Sequence, residues 1–138
     1  MKYRYFKLVY LMVFSLLITC AVFANDSVGK ITGVYSDMDY NSEGGDLIGI
    51  EVNVIYSSEG YFVVFQASEG APSVPVVIKA TVSGENIDFV IPDRGAVYSG
   101  KFHGVIKKDG MKGNVEGYTG YASKLWLKRQ LSYWQRKN

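Results

Sequence analysis

A chain of 138 residues that is 48% hydrophobic and 14% aromatic has the material for one packed domain, which excludes the disordered class. Its 15 basic and 13 acidic side chains nearly cancel, so it lacks the dense basic surface that nucleic-acid binding requires, and its single cysteine excludes an internal disulfide framework.

At the amino terminus, Lys2, Arg4 and Lys7 precede an apolar run from Leu8 to Phe23, and Val22-Phe23-Ala24 supplies the small residues that a signal peptidase reads. This predicts a secretory signal over residues 1–24, cleaved after Ala24, and a mature domain over 25–138 that is periplasmic or secreted. The run is interrupted by Ser15, Thr19 and Cys20 and falls short of the roughly twenty apolar residues that span a bilayer. Leu17-Ile18-Thr19-Cys20 resembles a lipoprotein box, but Thr19 stands where that pattern has Gly, Ala or Ser, so no membrane anchor is expected after cleavage. Cleavage takes Lys2, Arg4, Lys7 and Cys20 with it, leaving twelve basic side chains against thirteen acidic, a formal charge of −1.

From Lys30 onward, β-branched and aromatic runs are separated by Gly, Asn, Asp and Ser clusters. The spacing predicts strands near 31–39, 46–57, 60–69, 74–83, 85–91, 97–108, 111–119 and 124–130. Ile48, Ile50, Val52, Val54 and Tyr56 share one face, with Glu51 and Asn53 on the other, which is the period of two of a half-buried strand. Tyr61, Val63 and Phe65 repeat it, as do Val76, Ile78, Ala80 and Val82, then Ile87, Phe89 and Ile91, then Tyr98, Gly100, Phe102, Gly104 and Ile106. Lys101, His103 and Lys107 fall on the outer row. Ser58-Glu59-Gly60, Ser83-Gly84-Glu85-Asn86 and Lys108-Asp109-Gly110 are hairpin joints, so consecutive strands are antiparallel neighbours. The prediction is all-β: an antiparallel up-and-down meander of about eight strands closed as a small barrel, with a two-sheet sandwich as the alternative. Glycines 100, 104, 113 and 117 fall on inward faces, where strands coil sharply or meet bulky neighbours.

Gly33-Val34-Tyr35 in the first strand and Arg129 at the end of the last resemble the lipocalin and wider calycin pattern, in which Gly-x-Trp opens the barrel and a late Arg lies over the ring. Tyr35 replaces that tryptophan, and the chain is short for a lipocalin. The resemblance implies a calycin-like barrel whose end is closed by Arg129 stacked on Tyr35. The stretch from 30 to 134, with Gly44-Gly45-Asp46-Leu47, Ser68-Glu69-Gly70, Asp109-Gly110, Leu125-x-Leu127-x-Arg129 and Ser132-Tyr133-Trp134, also resembles small exported bacterial proteins without an assigned activity, and supplies no mechanism.

Candidate chemistry is sparse. Asp37, Asp39, Asn41 and Glu43 alternate ahead of Gly44-Gly45-Asp46, as in an oxygen-rich calcium loop, but Ser42 takes the place of the turn glycine and Ile48 that of the bidentate glutamate. His103 is the lone histidine and has no identifiable nucleophile or carboxylate partner in sequence. No nucleophile elbow or zinc spacing is present, so no catalytic residue, metal or cofactor is assigned and the protein is not expected to be an enzyme.

Charge is distributed unevenly. Residues 25–69 hold Asp26, Asp37, Asp39, Glu43, Asp46, Glu51, Glu59 and Glu69 against Lys30 alone, whereas Lys124, Lys128, Arg129, Arg136 and Lys137 stand without an acid in 124–138. The expected role is non-catalytic binding. In the first version, a small apolar ligand lies in the barrel among Tyr56, Tyr61, Phe65, Phe89, Tyr98 and Phe102. In the alternative, Asp37, Asp39, Glu43 and Asp46 form an acidic rim through which an inhibitor or immunity protein blocks an envelope enzyme. Leu131, Tyr133 and Trp134 are too apolar for a free tail, so docking near the Tyr35 and Arg129 closure is expected, with the residues from Gln135 onward mobile.

Overall fold

A computed structural model describes residues 31–93, 98–116 and 124–136. Residues 1–24, expected to be a secretory signal, with Cys20, Gly117, expected on an inward face, and the chain end at Lys137 and Asn138 lie outside the described residues.

Nine strand segments follow one another: β1 Gly33–Ser36, β2 Asp39–Asn41, β3 Asp46–Ser57, β4 Gly60–Pro72, β5 Val76–Ser83, β6 Asn86–Ile91, β7 Gly100–Ile106, β8 Gly110–Glu116 and β9 Leu125–Arg129, then a short 3-10 turn over Tyr133–Gln135. Every pairing is antiparallel, and β3 to β9 form an uninterrupted meander. Closure comes from β1, which pairs on one side with β3 (Gly33↔Val54 to Ser36↔Glu51) and on the other with β9 (Tyr35↔Arg129, Ser36↔Lys128). The protein is thus a closed antiparallel barrel of eight staves, because β1 and β2 are one stave broken at Asp37 and Met38.

The break has a local cause. Asp37 turns its N–H to the Ile50 carbonyl at 3.1 Å, and Met38 N–H is held by the Ser36 hydroxyl at 3.1 Å. Gly49, at φ +117°, lets this corner approach: a Cβ there would sit 2.7 Å from both the Asp37 carbonyl oxygen and Met38 Cα.

The interior follows the alternation read from sequence, with the rows Ile50, Val52, Val54; Val63, Phe65, Ala67; and Ile87, Phe89, Ile91 all buried. Its centre is filled by rings: Phe89 stacks on Phe102 with centroids 4.5 Å apart, and Phe65 lies 6.3 Å from Phe89. Gly104 and Gly113 face each other across β7 and β8 and leave the space that Phe102 occupies.

The alternation slips at the start of β3, where Leu47 is buried and Ile48, of inward parity, is 45% exposed, and two positions farther along also depart from it. Tyr56 has inward parity but is 54% exposed at the end of the β3–β4 hairpin, one pair from the turn. Glu51 has outward parity but is only 7% exposed, because the carboxy-terminal segment crosses over it. Its carboxylate accepts the Ser132 hydroxyl at 2.6 Å and the Tyr133 N–H at 2.8 Å. Arg136 completes this strap by donating to the Met38 carbonyl at 2.5 Å, beside the break.

Candidate functional site

The break leaves an opening in the wall. β1 and β9 pair over only two positions, after which the chain at Asp37 bends to β3 while β9 begins at Leu125. Between them lies a hollow of about 610 Å³, lined by Asp37, Asp39, Asp46 and Glu69 on one side and by Lys124 and Trp126 on the other. The carboxylates arrive from the break, from β2, from the start of β3 and from β4, where Glu69 pairs opposite Ile48. Tyr98, just ahead of β7, is buried and lines the same hollow.

Asp37 is the most constrained of these acids. Its Oδ1 accepts the Ile50 N–H at 2.7 Å. Burial holds its carboxyl above the ordinary aspartate range, and hydrogen bonds from the backbone at Ile50 and at Asp37 itself offset part of that rise. A carboxylate desolvated without a neighbouring cation gains from one that arrives with a ligand. Asp39, at the start of β2, accepts the Tyr40 N–H at 3.0 Å. Glu43, the fourth acid expected on this rim, instead sits in the β2–β3 turn, where its N–H is held by the Asn41 side chain, and is not part of the lining.

The six aromatic residues expected in the interior occupy three places. Tyr56 and Tyr61 tilt against each other at the opposite mouth with centroids 4.9 Å apart. Phe65, Phe89 and Phe102 form the central stack, and Tyr98 alone reaches the hollow.

At the closure, the Arg129 guanidinium lies 4.8 Å from the centroid of the fully buried Tyr35 ring. Arg129 also donates to the Thr32 carbonyl at 2.9 Å and to the Tyr35 hydroxyl, which itself donates to the Ile31 carbonyl at 2.8 Å. Burial raises the Tyr35 pKa, and the adjacent Arg129 charge opposes that rise. Trp134 is placed on the outer wall, where its indole N–H donates to Gln66 Oε1 at 3.0 Å and its ring meets Tyr133 edge-on.

One pair escaped sequence reasoning. Asp88 and His103 are register partners on β6 and β7, and Asp88 Oδ1 lies 2.5 Å from His103 Nδ1. Both fall on outer rows, so the signal was present, but nothing local to either strand fixes the register that joins them. They border a second, shallower hollow of about 730 Å³ on the outer wall, which shares Lys124 and Trp126 with the first. Among the described residues, no hydroxyl or thiol nucleophile lines it and no group of His, Cys, Asp and Glu suited to a metal ion occurs.

Fold and site together define a closed antiparallel barrel with an acidic opening in its wall. Protein-family models, curated proteins and solved structures contain no match to this chain.

Proposed function

We propose that the protein is an exported, non-catalytic binding protein of calycin-like build, and that its acidic hollow takes a basic segment of a protein in the cell envelope, as an inhibitor or immunity protein would. One observation carries this reading: among the described residues, four carboxylates line the hollow against one lysine, with Tyr98 and Trp126 beside them. Carboxylates attract and orient lysine and arginine side chains, and an indole face receives their stems or charged heads. Support for export comes from the basic and apolar amino terminus followed by Val22-Phe23-Ala24. The small-ligand version draws less support, because Phe65, Phe89 and Phe102 occupy the centre of the barrel.

Calorimetric titration with a lysine-rich peptide tests the reading. Binding is expected to weaken with salt and to vanish in the triple variant Asp39→Asn, Asp46→Asn, Glu69→Gln, which leaves the Asp37 hydrogen bond untouched. Undiminished binding by that variant, or none by the parent protein, refutes it. Native mass spectrometry showing an apolar molecule co-purified with the barrel would instead restore the interior-ligand version.

A further inference from the structure

The outer wall of β6 to β9 carries side chains in two rows that run across the strands. Asp88, His103 and Asn114 are successive register partners on β6, β7 and β8. Asn86, Val105, Lys112 and Trp126 form the row beside them, one residue from each of the four strands. With neighbouring strands about 4.8 Å apart, this second row is roughly 14 Å long. Both rows line the outer hollow of about 730 Å³, a size at which clefts take small ligands.

What the rows offer defines the ligand. β7 and β8 are paired on both sides here, so the wall presents no main-chain edge and a ligand is read by side chains alone. Among the described residues, Asp88 is the one acid of the lining and stands against Lys112 and Lys124, so no sign of charge dominates as it does in the first hollow. Hydrogen-bonding capacity is what recurs. Asp88 Oδ1 holds His103 Nδ1 at 2.5 Å, while His103 Nε2 lies 3.6 Å from Glu116 Oε2, beyond bonding distance. This contact orients the imidazole and leaves its Nε2 and the second Asp88 oxygen facing a ligand as acceptors, with both side chains about half exposed. The exposed Asn114 amide beside them supplies a donor and an acceptor. Trp126 ends the longer row. Its ring rests on the wall at Gly110, where a Cβ would come within 2.8 Å of Cζ2 and 2.9 Å of Cη2, and the residue stays 37% exposed.

We infer that this hollow binds an oligosaccharide of β-linked, gluco-configured rings laid across β6 to β9. A pyranose with all its substituents equatorial has C–H bonds on both faces and hydroxyls around its rim. The faces suit the electron-rich face of an indole, and the hydroxyls, each donor and acceptor at once, suit an amide, an imidazole and a carboxylate set in rows. Equatorial links keep successive rings in a flat ribbon, which matches a sheet face, and the long row exceeds the width of one ring. Among the described residues, this hollow shares Lys124, Leu125 and Trp126 with the acidic one, and Asp88, His103 and Asn114 belong to it alone.

Titration of the nitrogen-labelled protein with cellotetraose and chitotetraose, followed by heteronuclear NMR at the Trp126 indole N–H and the Asn114 side-chain amide, tests this. Saturable shifts at both groups are expected with at least one of the two sugars, with a dissociation constant of roughly a millimolar or tighter, and with glucose binding at least about tenfold more weakly. Asn114→Ala is expected to weaken the tetrasaccharide roughly tenfold without changing the melting temperature, since the residue is exposed. Trp126→Ala should abolish binding. No saturable shift with either tetrasaccharide overturns the inference, as does undiminished binding by Asn114→Ala or shifts confined to Trp134. Loss of sugar binding in the variant Asp39→Asn, Asp46→Asn, Glu69→Gln would place the sugar in the acidic hollow and equally overturns it.

Discussion

The strap formed by residues 130–136 is held chiefly by Glu51, and this gives a prediction with a defined size. Glu51 is nearly buried and accepts two hydrogen bonds from the strap, from the Ser132 hydroxyl and the Tyr133 N–H. Hydrogen bonds to a charged group contribute about 1.5–3 kcal/mol each, part of which is recovered when water reaches the carboxylate after truncation. Gln130 adds its own bonds to the Val34 and Ser36 carbonyls, and Arg136 covers Met38, so ending the chain after Gln130 removes the Glu51 and Arg136 contacts but not those of Gln130. The net loss is expected to be about 2–4 kcal/mol, or a fall of about 10 °C in melting temperature for a domain of this size. Glu51→Ala in the full chain should cost about the same, since it leaves the same donors without their acceptor. The decisive measurement is the double-mutant cycle by urea unfolding: Glu51→Ala in the truncated chain should cost much less than in the full one, with a coupling of about 2 kcal/mol. Additive effects, or a truncated chain that melts within error of the parent, would show that the strap is not part of the folded core.

Three further outcomes follow from the geometry. Because burial raises the Asp37 pKa in the folded state, the native protein holds that proton to higher pH than the unfolded chain, so stability falls as pH rises from the unfolded value of about 3.9 through the folded one. Asp37→Asn keeps an oxygen for the Ile50 N–H and removes this decline, so urea unfolding should find it more stable than the parent at neutral pH and no more stable near pH 3; the opposite order would sink the argument. Gly104→Ala would bring a Cβ within 2.9 Å of both Ile87 Cγ2 and Phe102 Cε1, and should destabilise by about 1–3 kcal/mol, with partial rescue by Phe102→Leu in thermal melts. Tyr35→Phe removes the hydroxyl that receives Arg129 and donates to Ile31, and an unfolding loss of about 1–2 kcal/mol is expected, whereas a neutral effect would leave the closure to ring stacking alone.

Most of the barrel could be read from the chain itself, because strand alternation and turn chemistry are local. The inward residues Ile50, Phe65, Ile87 and Phe102 are buried as their parity requires, and the Asp109-Gly110 joint leads into β8 beside β7. The acids of the hollow were recognised as a group from composition, since Asp37, Asp39 and Asp46 lie within one turn region of the chain. Glu69 and Trp126 could not be added to them that way. They reach the site from β4 and β9, and only the closing of the sheet, with β1 bridging β3 and β9, sets them beside it.

The same reason accounts for the other departures. Parity says which side of a strand a residue faces, but not what covers that side: Glu51 faces outward and is buried by a strap that starts far along the chain, while Tyr56 faces inward and stays exposed at the end of its hairpin. The Asp88 and His103 contact depends on register, which is a relation between strands. Local periodicity therefore determined the strands and their faces. Tertiary structure decided where the stave breaks and where the wall opens, because those features arise from long-range closure of the sheet, whose energetics no single stretch of sequence carries.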